Sequence, residues 1–373
     1  MSSTPKDQKM DHPTPSYDGV NLANLAAELE IRLTGRSPAR GLRPELAELI
    51  PHTRNYVLVI IDGLGDHQLS HPAAATLRRH RRAALIAPFP TTTSVGLSAV
   101  ATAMAPMQHG VIGYTQWMPT LPAVVDMLEW VDFTTGQPVD LDPAGFHPTP
   151  NLPERLSAAG VRTVIFKPTE LLDTPVSNMV CRGAERHGYT SPFDIRQPTV
   201  SGDGDRSLTV VYTAPVDTAA HAYGQRSQAY STALSQTGQV WEHLRRSFPS
   251  DTTLIGSADH GHCDIPPEGK IYLDETLTEG MTWWGDGRVS FFSGPLEPVH
   301  RIARRTNAQI VSTDQLHQWL GGGPPHPALT ELPTAALLAP PATVIFPQHL
   351  PSPYIGHHGG ITPQELLIPL LVV

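Results

Sequence analysis

The stretch YVLVIID, residues 56–62, decides the fold. Aromatic, Val, Leu and Ile positions follow one another with no polar interruption and no alternation between two faces, and Gly63 ends the run. Too short for an ordinary helix, it has the pattern of a strand buried on both faces of a parallel sheet. The same form recurs in AALIAP (83–88), VRTVIFKP (161–168), SLTVVYTAP (207–215) and TTLIGSAD (252–259), and ELLIPLLVV closes the sequence. Helical patterns lie between these runs. NLANLAAELEIRL (21–33) gathers Leu22, Leu25, Leu29 and Ile31 or Leu33 on one side, and RPELAELI, GLSAVATAM, PERLSAAG and AYSTALSQTGQVWEHLRRSF follow. Strands alternating with helices predict an α/β fold, a doubly wound, mostly parallel sheet flanked by helices on both faces.

Working outward, residues 1–19 are polar and proline-containing and read as a flexible N-terminal arm with no signal-peptide pattern. Residues 20–263 and 346–373 form the expected core. Residues 264–345, with EGMTWWGDGRVSFFSG and a Gly- and Pro-rich tract, read as a smaller α+β insertion, a cap over one end of the sheet. A second excursion is expected at 114–150. No apolar stretch is long enough to span a bilayer. With only Cys181 and Cys263 in 373 residues, no disulfide framework is implied, and the expected location is cytoplasmic. A net charge of −9 with 16% charged residues argues against a nucleic-acid polymer as partner. It leaves room for a small phosphate substrate if metal ions carry the positive charge.

Polar residues gather where the strands end. YVLVIID ends on Asp62; SLTVVYTAP runs into VDTAAHAYG with Asp217 and His221 four residues apart; TTLIGSAD ends on Asp259 followed by His260; GHHGG precedes the last strand. Ligands of open α/β sheets bind at the carboxyl ends of the strands. Asp and His are oxygen and nitrogen ligands of Zn²⁺ and also suit Mn²⁺ or Fe. A D-x-x-x-H spacing places both side chains on one helical face. Taken singly, Asp62 reads equally well as a turn residue and Asp217 with His221 as an ordinary helix pair. Together, three Asp and three His suffice for two metals about 3.5–4 Å apart, the clamp used in phosphoryl transfer.

In order, the motifs D-G, P-T-x-T, D-x-x-x-H, D-H-G and H-G resemble the alkaline phosphatase superfamily, and within it the type I phosphodiesterase/nucleotide pyrophosphatase branch. The resemblance implies two divalent metal ions, Zn²⁺ first and Mn²⁺ or Mg²⁺ as alternatives. Asp62, Asp259, His260 and the nucleophile would hold one ion, and Asp217, His221 and His358 the other. By the same resemblance the nucleophile would be the second Thr of P-T-x-T, here Thr93 in FPTTTSVG (89–96), and H-G sixteen residues on, His109-Gly110, fits that register. Taken alone, the three threonines read as a helix cap.

One departure stands out. Three residues after the nucleophile that branch has Asn, where this sequence has Gly96. The missing donor would be Ser94, a backbone N–H at the helix N-terminus, or a group from the insertion. Tyr114 and Trp117 are further candidates for contact with an apolar or base moiety. Trp283, Trp284, Arg288 and Phe291 read as core of the insertion ahead of substrate wall. The expected activity is phosphodiester or pyrophosphate hydrolysis through a phospho-threonine on a small phosphate-ester or nucleotide substrate. The alternatives are a phosphomonoesterase on the same fold and a non-catalytic interaction domain of the PglZ type, which the closing HHGGITPQELLIPL resembles.

Overall fold

The computed structural model describes residues 13–197, 206–350 and 352–373. Strands β1 (Asn55–Ile61), β2 (Arg81–Ile86), β3 (Val161–Pro168), β4 (Glu185–Tyr189), β5 (Arg206–Thr213) and β6 (Thr252–Ser257) come first. An antiparallel sheet follows, built from β7 (Thr282–Gly285), β8 (Val289–Ser293), β9 (Gln309–Val311) and β10 (Ala335–Leu338) in the order β7-β8-β10-β9. The last strand, β11 (Leu367–Val372), then rejoins the first sheet, whose order becomes β2-β11-β6-β1-β5-β3-β4. Within it, β1 pairs in parallel with β5 and β6, and β3 with β4 and β5, while β11 runs antiparallel to both β2 and β6. This is the mostly parallel, doubly wound sheet read from the sequence.

Every residue of β1 is buried, which is why its sequence shows no alternation. The edge strand β4 is the reverse case: ERHGY is exposed except at Tyr189, so no apolar run announces it. Helix α1 (Leu22–Thr34) buries Leu22, Leu25, Leu29 and Leu33; a reciprocal cap between Asn21 and Asn24 starts it and Gly35, at φ 82°, ends it. It packs against α2 (Thr93–Thr102). On another part of the sheet, α3 (Pro215–Tyr223) packs against the long α4 (Gln228–Ser247).

Residues 1–12 of the expected arm lie outside the described residues. Residues 13–19 are pinned rather than loose: the Tyr17 hydroxyl accepts a hydrogen bond from the Phe89 N–H at 3.1 Å, and Asp18 pairs with Arg43 at 2.9 Å. The excursion after residue 114 holds three short antiparallel strands, Thr115–Met118, Ala123–Asp126 and Val131–Asp132. The second sheet buries one face, with Trp284, Val289 and Phe291, against Phe89, Met107 and Ile112. Its other face, with Phe292, packs under α5 (Leu296–Thr306), whose Val299 and Ile302 are buried. Arg288 is buried too, its guanidinium bonded to both Glu365 oxygens at 2.9 and 2.8 Å. These residues are interior. No described helix is long and apolar enough to cross a membrane.

Candidate active site

The sheet topology explains why residues so far apart in sequence meet. Asp62 follows β1, Asp217 and His221 sit on the helix that follows β5, and Asp259 and His260 follow β6, all at the carboxyl edge of parallel strands. Because β11 is antiparallel, its entering end lies at that same edge and delivers the 356–360 loop there. A short pairing of Cys263 with His357 and of Asp264 with Gly356 lays this loop beside the 259–262 loop. The N-terminus of α2 completes the ring with Thr93.

The donor atoms are at ligand spacing. His221 Nε2 lies 3.2 Å from His358 Nε2 and 3.5 Å from Asp217 Oδ1. A tetrahedral Zn²⁺ with bonds of about 2.0–2.1 Å sets its ligand atoms about 3.3 Å apart. His260 Nε2 lies 3.1 Å from Thr93 Oγ1, 3.4 Å from Asp62 Oδ1 and 3.7 Å from Asp259 Oδ2. Two groups of side chains thus have the geometry to hold a metal: Asp217, His221, His262 and His358, and Asp62, Asp217 and His260, with Asp217 common to both. Asp259 stands beside the second group. Its Oδ1 accepts from the Gly63 and His260 N–H groups at 3.2 and 3.0 Å, while its Oδ2 is buried with no partner. Asp62 Oδ1 is likewise buried and unpartnered. Buried anionic oxygens without donors are costly unless a cation meets them, so the residues fit a metal pair.

The charges at the site act on one another. Burial, then the negative charges of Asp217 and Asp259, pushes the Asp62 carboxyl well above the usual carboxylate range. Burial acts upward on Asp217 as well, but the hydrogen bond and charge of His262, with His221 and His260 nearby, hold it well below that range. Burial, followed by His260 and His221, keeps the His358 imidazole neutral far below its ordinary value. A neutral His358 is the form that ligates a metal, and the carboxylate repulsion that, after burial, raises Asp62 is what a bound cation would relieve.

The three threonines have separate places. Thr91 holds the last loop: its hydroxyl donates to Gly360 O at 2.8 Å and accepts from Gly359 N–H at 3.0 Å, and its carbonyl lies 2.9 Å from His358 Nδ1. Thr92 is the N-cap of α2, with no side-chain cap bond, and Thr93 is the first helical residue. His358 faces His221, whereas the His357 ring is turned toward Tyr354 O and Ser352. Ser94 is buried and donates to Gly113 O at 2.8 Å, so its hydroxyl is already engaged. Gly96 has a physical reason: a Cβ there would lie 2.5 Å from Asp259 Cβ and 2.9 Å from Asp259 Cα. The helix rests directly on the strand end that carries the Asp259-His260 pair. Tyr114 is half-buried and edge-on to Phe133, with ring centroids 6.2 Å apart. Trp117 packs against the hydrophobic cluster of the second sheet and does not join the donor groups.

Sequence reading missed three residues. His262 enters the first donor group and bonds Asp217 Oδ1 at 2.6 Å; its signal is the second imidazole of D-H-G-H. The Tyr212 hydroxyl donates to Asp62 Oδ2. Tyr354 lies against the His221 ring, 4.9 Å between centroids, and nothing in its surroundings in sequence marks it.

Comparisons with known proteins give a family and a fold. A family model described as type I phosphodiesterase / nucleotide pyrophosphatase matches residues 56–318. No curated protein matches the sequence. Among solved structures, inactivated murine ectonucleotide pyrophosphatase / phosphodiesterase 5 in complex with AMP is similar at TM-score 0.61 and 13% identity, over 84% of this chain and 87% of that one. The human protein of that name gives 0.60 and 14%, over 85% and 87%. Phosphonoacetate hydrolase from Sinorhizobium meliloti 1021, in complex with phosphonoacetate, gives 0.62 and 14%, over 87% and 91%.

Proposed function

The chain belongs to the type I phosphodiesterase / nucleotide pyrophosphatase family and is a phosphoester hydrolase, and from that premise we propose that it cleaves a phosphodiester or pyrophosphate bond of a small nucleotide-like substrate with Thr93 as nucleophile. The observation that carries this reading is the 3.1 Å approach of Thr93 Oγ1 to His260 Nε2, a member of one of the two metal-competent groups. Asp62, Asp259 and His260 would hold one divalent ion next to Thr93, and Asp217, His221 and His358 the other, with Zn²⁺ as the first expectation. Such ions, when bound, lower the pKa of a hydroxyl or water and neutralise phosphoryl oxygens.

The chain's own groups do the rest. Thr93 Oγ attacks phosphorus in line, the leaving alcohol or phosphate departs, and water hydrolyses the phospho-threonine. The first N–H groups of α2 face the transferred phosphoryl group and supply donors without a side chain at Gly96. Residues 264–345 act as a cap, anchored by Arg288 on Glu365. Tyr354, half-exposed beside His221, and Tyr114 offer faces for a base, in keeping with AMP in the murine relative. The unpaired thiols of Cys181 and Cys263 support a reducing, cytoplasmic setting.

The test uses protein stripped of metal and reloaded with Zn²⁺, Mn²⁺ or Mg²⁺, offered an aryl nucleotide ester, a simple aryl phosphodiester and an aryl phosphomonoester. Turnover of the nucleotide ester, its loss in Thr93→Ala and its retention in Thr92→Ala are expected. No turnover with any ion overturns the activity, and a dead Thr92→Ala beside an active Thr93→Ala overturns the nucleophile.

A further inference from the structure

Four imidazoles crowd the site, and they are not equivalent. His221, His358 and His260 each turn Nδ1 to a backbone carbonyl: Gly356 O at 2.8 Å, Thr91 O at 2.9 Å and Gly261 O at 3.1 Å. That hydrogen bond places the ring proton on Nδ1 and leaves the Nε2 lone pair free for a cation, the usual arrangement of a ligating histidine. His262 lacks it. Its Nδ1 is buried with no partner, while Nε2 points at Asp217 Oδ1 from 2.6 Å. Were Nε2 to bind an ion, the proton would have to sit on Nδ1, where no acceptor waits.

The ring is also held in place with unusual care. A Cβ on Gly63 would come within 2.8 Å of His262 Cδ2, and one on Gly356 within 3.0 Å of His262 Nδ1, so two glycines open the slot the imidazole fills. Its carbonyl accepts from the side-chain amides of Gln68 and Gln225 at 2.8 and 3.0 Å. Side chain and backbone are both fixed, and what they fix is one N–H aimed at one carboxylate oxygen.

We propose that His262 is a positioning residue: it donates its Nε2–H to Asp217 and sets the orientation of that carboxylate toward the ion shared with His221 and His358, without ligating the ion itself. The inference rests on the metal-dependent reading above. Carboxylate ligands are themselves held by hydrogen bonds, and loss of such a partner weakens metal binding by roughly 10–100-fold.

Co²⁺ is the probe, because its visible absorption reports the ligand set and its affinity is measured by competition with a chelator. Native protein is compared with His262→Leu, which removes the donor, and His262→Gln, whose amide N–H replaces it. Metal-free unfolding curves establish that each variant folds. The expected result is a roughly 10–100-fold weaker Co²⁺ affinity in His262→Leu, recovery of most of it in His262→Gln, and native band positions and intensities in the Gln variant. A Gln variant as weak as Leu with a changed band pattern makes His262 a ligand and overturns the proposal. Native affinity in His262→Leu makes it idle and overturns it too. Native protein that binds no Co²⁺ refutes instead the metal reading on which the proposal stands, and so separates the two failures.

Discussion

Substituting Gly96 by Ala sets two principles against each other. In an unencumbered helix interior, Ala is favoured over Gly by about 1 kcal/mol. Here the added Cβ would meet Asp259 Cβ at 2.5 Å, Cα at 2.9 Å and O at 3.1 Å, against about 3.5–4.0 Å for relaxed carbon contacts. Two of those atoms are backbone, so no rotamer change relieves them. Helix α2 and the end of β6 would have to part by about 1 Å, an overpacking cost of about 1–3 kcal/mol that offsets the propensity gain. The same displacement moves Asp259 and His260 away from Thr93, and a misplacement of about 1 Å at a reacting centre costs about 100-fold in rate. Gly96→Ala is therefore expected to unfold at lower urea concentration than native protein when both are metal-free, and to lose about 100-fold in turnover of an aryl nucleotide ester when metal-loaded. Gly96→Asn, the residue of the related branch, is expected to fare worse. A Gly96→Ala protein that is more stable than native and equally active would refute the reasoning.

Two further expectations concern stability. Arg288→Met leaves the fully buried Glu365 without its guanidinium and should cost about 3–5 kcal/mol in urea unfolding, and Glu365→Gln should be costly too, because its amide NH2 replaces an oxygen that accepts from Gly360 or Thr362 and the buried Arg288 loses its counter-charge; an Arg288→Met protein within about 0.5 kcal/mol of native contradicts this. His147 belongs to neither donor group, and burial, then Arg182 and His326, lowers its pKa to about 3. The unfolded chain takes up this proton near about pH 6.5 and the folded chain does not, so the stabilisation is complete above that pH and is lost as pH falls toward about 3. Unfolding free energy should fall by about 1.4 kcal/mol per pH unit on this account, and His147→Gln should remove that share of the slope; an unchanged slope counts against it.

How far the sequence reads depends on what each feature requires of its neighbours in the chain. Strand β1 must be apolar throughout because both its faces are covered, so YVLVII announces itself. Asp62, Asp217, Asp259 and His260 are legible because a polar residue at the end of such a run needs explaining, and the structure brings all of them with Thr93, His221 and His358 to one edge. Strand β4 is not legible, since an exposed edge needs no apolar pattern. The short strands of the second sheet sit among Gly and Pro and carry too few residues for a period to show. Residues 13–19 look like a tail because their partners, Phe89 and Arg43, are distant in sequence. His262 and Gly96 share that obscurity. One gains its meaning from Asp217 and the other from Asp259, across contacts that local pattern does not encode.

The reversed last strand has a consequence for how the molecule is made. β11 sits between β2 and β6, so until residues 367–372 have emerged, β2 has no neighbour in the sheet and β6 presents an open edge. His358 travels on the same terminal segment. A growing chain carries Thr93, Asp62, Asp217 and Asp259 long before it carries the residue that closes the ring. Assembly of the site is thereby tied to completion of the sheet, and a chain stopped before residue 358 lacks at once a metal-competent imidazole and the seal on its own edges.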